Sequence, residues 1–260
     1  MTMPDASRPV YFISDMHLGA SYLPDERAHE RRVTAFLRSL RGRAAALYLV
    51  GDVLDYWFEY RTVVPRGYVR FFGELAALAD SGVSITWLTG NHDIWLFDYL
   101  RDEIGIEVVD GAITREIDGK HFFIAHGDGL GRTSASFRFI RSLFRNRLCQ
   151  RLYSAIHPRW TIPFAHRWSA GSRGYTPGQS AAWDGPMRTN VEAWAKTYAA
   201  EHPDTDYIVL GHHHVAVDEA VPGSRCRLII LGDWITHDTY ACFDGTSLKL
   251  EKFEAGSEQK

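Results

Sequence analysis

The chain has little cysteine: Cys149, Cys226 and Cys242, odd in number and far apart, are the three in 260 residues. That count excludes a disulfide framework and suits free thiols in a reducing cytoplasm. It also leaves no pair of Cys at ligand spacing, so any metal must be held by nitrogen and oxygen. No apolar run approaches the length needed to span a bilayer. The first nine residues, MTMPDASRP, have neither a basic start nor an apolar core, so no secretory signal is expected. Internal repeats and low-complexity tracts are lacking too. With 45% hydrophobic and 23% charged residues and a net charge of −3, the composition is that of an ordinary soluble protein. One domain spanning residues 1–260 is expected, long enough to bury a full core.

What is present is a recurring pattern. Val10–Leu18 reads VYFISDMHL: a short apolar run of strand character, then Asp15 and His17. Four later segments repeat it. Gly51-Asp52 follows Ala44–Val50, Gly90-Asn91-His92-Asp93 follows Val83–Thr89, His126-Gly127 follows His121–Ala125, and Gly211-His212-His213-His214 follows Tyr207–Leu210. Ligands in open α/β sheets sit at the C-terminal ends of strands. Five such ends carrying Asp, Asn or His make a site.

Between the strands, helical periodicity predicts a surface helix over 25–41 with Val33, Phe36, Leu37 and Leu40 inward. A second helix is predicted from Pro65, carrying Val69, Phe72, Leu75 and Leu78 and ended by Asp80-Ser81-Gly82. A short helix is predicted over 94–103 and another near 186–201. Further strands are predicted at 106–109, 112–117, 215–221, 227–231, 239–243 and 246–253, with turns at Asp118-Gly119, Pro222-Gly223 and Asp244-Gly245. Residues 133–175 break the rhythm. Phe137, Ile140, Phe144, Leu148, Leu152 and Ile156 recur at helical spacing and predict one amphipathic helical insertion. The polar tail 255–260 is expected to be disordered. The expected class is α/β, two packed mixed sheets with helices outside.

A carboxylate shared by two cations holds them about 3.5–4 Å apart, where both can clamp a phosphoryl group. Asp52, in a tight strand-end turn, is the natural bridge. Asp15 and His17 suit one metal, Asn91 and His126 the other, and His212 and His214 complete the two sets. Gly51, Gly90, Gly127 and Gly211 suit turns where the backbone approaches closely. Mixed His, Asn and Asp ligands favour Mn, Fe or Zn over Mg, and a set without thiolate makes Mn²⁺ the first choice.

D-x-H, GD, GNHD, an HG motif and GH-x-H, in this order from Asp15 to His214, resemble the calcineurin-like metallophosphoesterases. The resemblance implies a four-layer α/β/β/α sandwich and a dinuclear centre. It assigns Asp15, His17, Asp52 and His214 to one metal and Asp52, Asn91, His126 and His212 to the other. It also implies that His92 donates to the phosphoryl group or the leaving oxygen, oriented by Asp93. Imidazole can give a proton near neutral pH. His213 is expected to be outward and structural, and His29, His121, His157, His166, His202 and His237 match no motif.

Within that family, YFISDMHLGA (11–20), GDVLDYWFEY (51–60), GNHDIWLFDYL (90–100), HGDGLG (126–131) and LGDW (231–234) look most like the UDP-2,3-diacylglucosamine hydrolases of lipid A synthesis. The resemblance implies cleavage at the α-phosphorus to UMP and an acylated glucosamine 1-phosphate. One departure is His92, where many members carry Arg and a subset keeps His.

The insertion adds an independent argument. Arg132, Arg138, Arg141, Arg145, Arg147, Arg151, Arg159, Arg167, Arg173 and Arg188 lie between Gly131 and Arg188, with no Lys and Asp184 as the one acid. Aromatics are interleaved. Such a segment suits an anionic membrane surface, or a lid in which Phe137, Arg138, Ile140, Arg141, Phe144, Arg145, Leu148 and Leu152 cover a diacylated diphosphate. This implies a cytoplasmic enzyme touching the inner membrane peripherally. A helix packed on the core with a solvated Arg face is the plainer alternative. A nuclease using Arg and aromatics on single strands and a scaffold without metals are the others. Nucleic acid is not expected, since the rest of the chain is mildly acidic, and no protein partner is inferred.

Overall fold

The computed structural model describes residues 8–131, 133–172 and 182–254. Apolar runs without polar alternation fit strands covered on both faces. Val10–Ile13 (β1) and Ala46–Val50 (β2) are buried throughout, and Ser84–Leu88 (β3) is buried after its first residue. These run parallel with Glu107–Val109 (β4), while Thr239–Phe243 (β10) and Leu248–Lys252 (β11) add antiparallel at the other edge, giving the order β11-β10-β1-β2-β3-β4. The second sheet contains Ile113–Ile117 (β5), Lys120–Ala125 (β6), Tyr207–Leu210 (β7), Ala216–Ala220 (β8) and Arg227–Leu231 (β9), in the order β5-β6-β7-β9-β8. β6, β7 and β9 are parallel; β5 and β8 are antiparallel edges.

Side chains alternate between faces along a strand, and the packing follows. Phe12 and Val50 meet Phe122, Val209, Ile229 and Phe243 between the sheets, with the Phe12 and Phe122 rings stacked at 5.7 Å. Tyr11, Ile13, Leu47 and Leu49 face outward onto Glu26–Ser39 (α1) and Val69–Asp80 (α2), against Val33, Phe36, Phe71 and Leu75. On the far side, Val191, Ala195 and Ala199 of Gly185–Glu201 (α7) cover Phe123, Ile208 and Ile230. Each large apolar side chain so sealed contributes about 1.5–3 kcal/mol. The result is the four-layer α/β/β/α sandwich of two mixed sheets.

Three helical expectations are corrected. The helix predicted from Pro65 begins only at Val69, because Tyr68 is left-handed (φ 58°) and ends the preceding loop. The helix predicted over 94–103 is Tyr99–Ile104 (α3). The entry to it is held by Glu59, whose buried carboxylate accepts from the backbone N of Phe97 (2.6 Å), Asp98 (2.9 Å) and Tyr99 (3.2 Å). The insertion is not one helix but three: Ala135–Arg145 (α4), Arg147–Ser154 (α5) and Pro158–Ser172 (α6). Asn146 makes the first break by capping α5, its side chain accepting from Leu148 N at 2.9 Å and Cys149 N at 3.2 Å. The expected stripe therefore does not share one face. The end of the insertion at 173–175, Arg132 and the tail 255–260 lie outside the described residues.

Candidate metal centre

All seven expected ligands stand just past the C-terminal ends of parallel strands, β1, β2 and β3 in one sheet and β6 and β7 in the other. The site therefore straddles the two sheets. Asp15, His17, Asp52, His212 and His214 all have positive φ, between 45° and 69°. They are five of the eight non-glycine residues with positive φ among the described residues. Each costs on the order of 1–3 kcal/mol and persists only where the surroundings enforce it. Backbone bonds do so: Asp15 N donates to Gly51 O at 3.1 Å and His17 N to Asp52 O at 3.0 Å. Gly90 is required by close approach, since a Cβ there would fall on the Asp52 carboxylate.

The side chains form two groups with Asp52 between them. His214 Nε2 lies 3.4 Å from Asp15 Oδ1 and 3.2 Å from His17 Nε2, and His17 Nε2 is 3.8 Å from Asp52 Oδ2. On the other side His126 Nε2 is 3.3 Å from that same Asp52 Oδ2 and 3.3 Å from Asn91 Oδ1. Asp52, His126 and His212 offer ligand atoms within 4.8 Å of one another, as do Asp15, His17 and His214.

These residues fit two divalent cations. Asp15 Oδ1 is buried and has no hydrogen-bond partner among the described residues. His17 Nδ1 faces Asp55 Oδ1 at 3.5 Å and His214 Nδ1 faces Asp233 Oδ2 at 3.4 Å. A carboxylate at Nδ1 favours the proton there, which would leave the two Nε2 lone pairs, 3.2 Å apart, without a proton between them. These nitrogens and Asp15 Oδ1 would then be able to hold a cation. His126 Nδ1 donates to Val50 O at 2.9 Å, which likewise leaves its Nε2 for ligation.

Without a cation, the charges of the site compensate one another. Burial works to raise the Asp52 pKa, but the charges of His126 and His92 outweigh it and hold the carboxyl well below the usual range. For His126 burial works against protonation, yet Asp52 pushes it up to about 10. Burial, then His126 and His213, lower His212 to about 3, so its imidazole is neutral and ready to ligate.

The calcineurin-like phosphoesterase family model matches residues 8–216. The chain belongs to that family. It is 43% identical over 256 residues to the UDP-2,3-diacylglucosamine hydrolase of Porphyromonas gingivalis, covering 94% of this chain and 97% of that one. It is 26% identical over 230 residues to the enzyme of the same name from Nitrosococcus oceani, covering 86% of each. A solved archaeal phosphodiesterase aligns with a TM-score of 0.46 at 15% identity, covering 94% of this chain and 98% of that one.

In this phosphoesterase His92 stands beside the candidate ligands. Its backbone N donates to Asp52 Oδ1 at 2.8 Å and its Nδ1 to Asp55 O at 3.0 Å. The expectation that Asp93 orients His92 is corrected. The Asp93 carboxylate is sealed and accepts from Gly90 N (2.6 Å), Val53 N (2.9 Å), Asp52 N (3.3 Å) and Trp87 Nε1 (3.1 Å). It holds the Asp52 and Asn91 loops together, while Asp55 holds His92. Burial and the Asp52 charge raise Asp93 to about 6. His213 is half-buried, its backbone N bonded to Gly211 O at 2.8 Å.

The insertion is docked by the aromatic stretch of residues 53–60 and by Trp95. Tyr153 stacks on Trp95 at 5.2 Å and meets Phe58 at 4.9 Å, and its hydroxyl bonds Tyr56 at 3.1 Å. Trp95 Nε1 donates to Phe144 O at 2.9 Å, and Tyr60 bonds Thr161. Among the expected lid residues, Phe144 is packed against Trp95, while Arg138, Ile140, Leu148 and Leu152 are exposed. Arg141 and Arg145 pair with Asp128 and Asp110, both at 3.0 Å. In the ligand-free structure these two arginines are thus ion-paired within the protein. The side chain of Phe137 lies outside the described set. Asp55, Asp233, Trp95 and Tyr153 were not singled out from sequence. For the first two the available signal was an acid in a strand-end loop.

Proposed function

We propose that this phosphoesterase hydrolyses the pyrophosphate of UDP-2,3-diacylglucosamine at the α-phosphorus, giving UMP and 2,3-diacylglucosamine 1-phosphate, a step of lipid A synthesis. The observation that carries this is the 43% identity to a hydrolase of that name, extending over nearly the whole of both chains. Asp15, His17, Asp52 and His214 hold one divalent cation, and Asp52, Asn91, His126 and His212 hold a second, Mn²⁺ being favoured by a nitrogen and oxygen set without thiolate. When bound, the cations would supply positive charge to the phosphoryl group and would make water a stronger nucleophile at neutral pH. His92, held through Nδ1 by Asp55, gives a proton from Nε2 to the leaving oxygen. Asp93 acts at one remove, by fixing the Asp52 turn.

The three-helix insertion selects the substrate. Ile140, Leu148 and Leu152 offer exposed apolar surface for the acyl chains, at about 0.8 kcal/mol per buried methylene. The exposed Arg138, Arg147, Arg151 and Arg159 face anionic headgroups at the cytoplasmic surface of the inner membrane. Phe139, Trp160 and Phe164 enter that interface. No helix among the described residues is long and apolar enough to cross a membrane, which suits peripheral attachment.

The test is incubation of the Mn²⁺-loaded protein with UDP-2,3-diacylglucosamine and chromatography of the nucleotide product. UMP release is expected. Cleavage of single-stranded DNA without action on the nucleotide lipid would replace this reading with a nuclease.

A further inference from the structure

The LGDW motif is not part of the ligand set, yet its acid is built into the site. Asp233, just past β9, is 2% exposed. Its Oδ1 accepts from three successive backbone N–H groups, Ile235 (2.8 Å), Thr236 (2.6 Å) and His237 (3.2 Å). The Thr236 hydroxyl reaches both oxygens at 3.1 Å. Oδ2 is thereby aimed at two imidazoles, His237 Nδ1 at 3.1 Å and His214 Nδ1 at 3.4 Å. A buried carboxylate needs such satisfaction, but the cradle alone does not require that its second oxygen face a ligand histidine.

The loop that carries Asp233 is also tied to the neighbouring ligand loop. Trp234 N donates to Asp15 O at 3.1 Å. Arg32 of α1 donates to Trp234 O at 2.8 Å and pairs through Nε with Asp238 at 2.9 Å. His214 Nε2 points into the group formed with Asp15 Oδ1 and His17 Nε2. An imidazole ligates only through a nitrogen without a proton.

We propose that Asp233 is a positioning residue that holds His214 in the Nδ1–H tautomer and so sets the affinity of the Asp15, His17 and His214 group for its divalent cation. This rests on the two-cation reading above. The rival role is a staple that merely shapes residues 232–238. Two substitutions separate them. In Asp233→Asn the amide oxygen keeps the three backbone donors, which turns the NH₂ toward His214 Nδ1. A donor there favours the Nε2–H tautomer, which cannot ligate. Asp233→Ala removes the cradle acceptor yet leaves His214 free to take either tautomer. A staple makes Ala the worse variant in every respect. Positioning makes Asn the worse for metal and Ala the worse for thermal stability.

The experiment is calorimetric titration of the full-length metal-free protein with Mn²⁺, with ¹⁵N NMR of the His214 ring and melting curves of the same samples. Wild type is expected to bind two ions. Asp233→Asn is expected to weaken one of them 10–100-fold, the range for losing such a partner, while the other is unchanged and His214 reports Nε2–H. Asp233→Ala is expected to melt lower but bind that ion better than the Asn variant. Wild-type binding of two ions with equal affinities in Asp233→Asn would overturn the inference alone, as would losses that simply follow melting temperature. Fewer than two ions on wild type would overturn it together with the reading it rests on.

Discussion

Between the strand ends and the helical insertion, burial runs in opposite directions. Asp15, His17 and Asp52 are 0–2% exposed, whereas Phe139, Leu148, Leu152 and Trp160 are 63–68% exposed. The first region buries charge in left-handed backbone, and bonds between loops enforce it. The second leaves apolar surface open and touches the sandwich chiefly through Trp95, Tyr153, Phe144 and a few polar pairs. Chemistry needs atoms fixed to a fraction of an ångström, so it sits where two packed sheets over-determine the turns. A flexible lipid needs contact area rather than precision, and on the reading proposed above the exposed apolar side chains of the short helices would supply it.

The largest effect expected is from Asp52→Ala. It removes the one carboxylate oxygen common to both groups, so metal analysis should show both ions lost and turnover should fall below detection. Retention of one tight ion would mean that Asp52 is not shared. His92→Ala should keep both ions and lose roughly 10²–10⁴ in kcat, the range for a general acid. Loss of metal in that variant would make His92 a ligand.

Trp95→Ala sharpens the contrast from the other side. It removes the indole that bonds Phe144 O and stacks on Tyr153, about 2 kcal/mol of docking. Hydrogen exchange should rise across α4 and α5 and not at the ligand loops, with about a tenfold loss on the diacyl substrate. Uniform exchange would mean that the insertion is part of the core.

The smallest effect concerns the floor beneath the ligand loop. His29 Nε2 donates to Met16 O at 2.6 Å, and burial, reinforced by Arg32, lowers its pKa from 6.5 to about 4. The unfolded chain takes up a proton as pH falls through 6.5, while the folded chain waits until about pH 4. The stability tied to neutral His29 is therefore full above pH 6.5 and lost as pH drops toward 4, on the order of 2–3 kcal/mol. Urea unfolding of metal-free wild type should lose more stability between pH 7 and 4.5 than His29→Gln does. Parallel losses would remove His29 from the pH dependence.

The same contrast explains what the sequence made legible. Period and turn residues marked nearly every strand, because fully buried strands read as unbroken apolar runs. All seven candidate ligands were legible because each follows such a run. The insertion was legible as helical but not as three helices, since Asn146 acts through its capping bond rather than through hydropathy. The late start of α3 was hidden because Glu59, a carboxylate about 40 positions earlier, holds residues 97–99. Asp93 was given the role of Asp55 for a like reason. Adjacency in sequence suggested the pair, whereas the turn directs Asp93 to backbone N–H groups on the other side.

The measurement that bears most directly on the division of labour uses one protein and two substrates. Leu148→Glu with Leu152→Glu leaves every ligand in place and puts charge on the apolar surface of α5. Kcat/KM should then stay within about twofold of wild type on a small chromogenic phosphodiester. On UDP-2,3-diacylglucosamine it should fall about 100-fold, as expected if the acyl chains lose three or four methylenes' worth of contact. Equal loss on the two substrates, or none on either, would contradict an account that places chemistry in the strand-end turns and selectivity in the insertion.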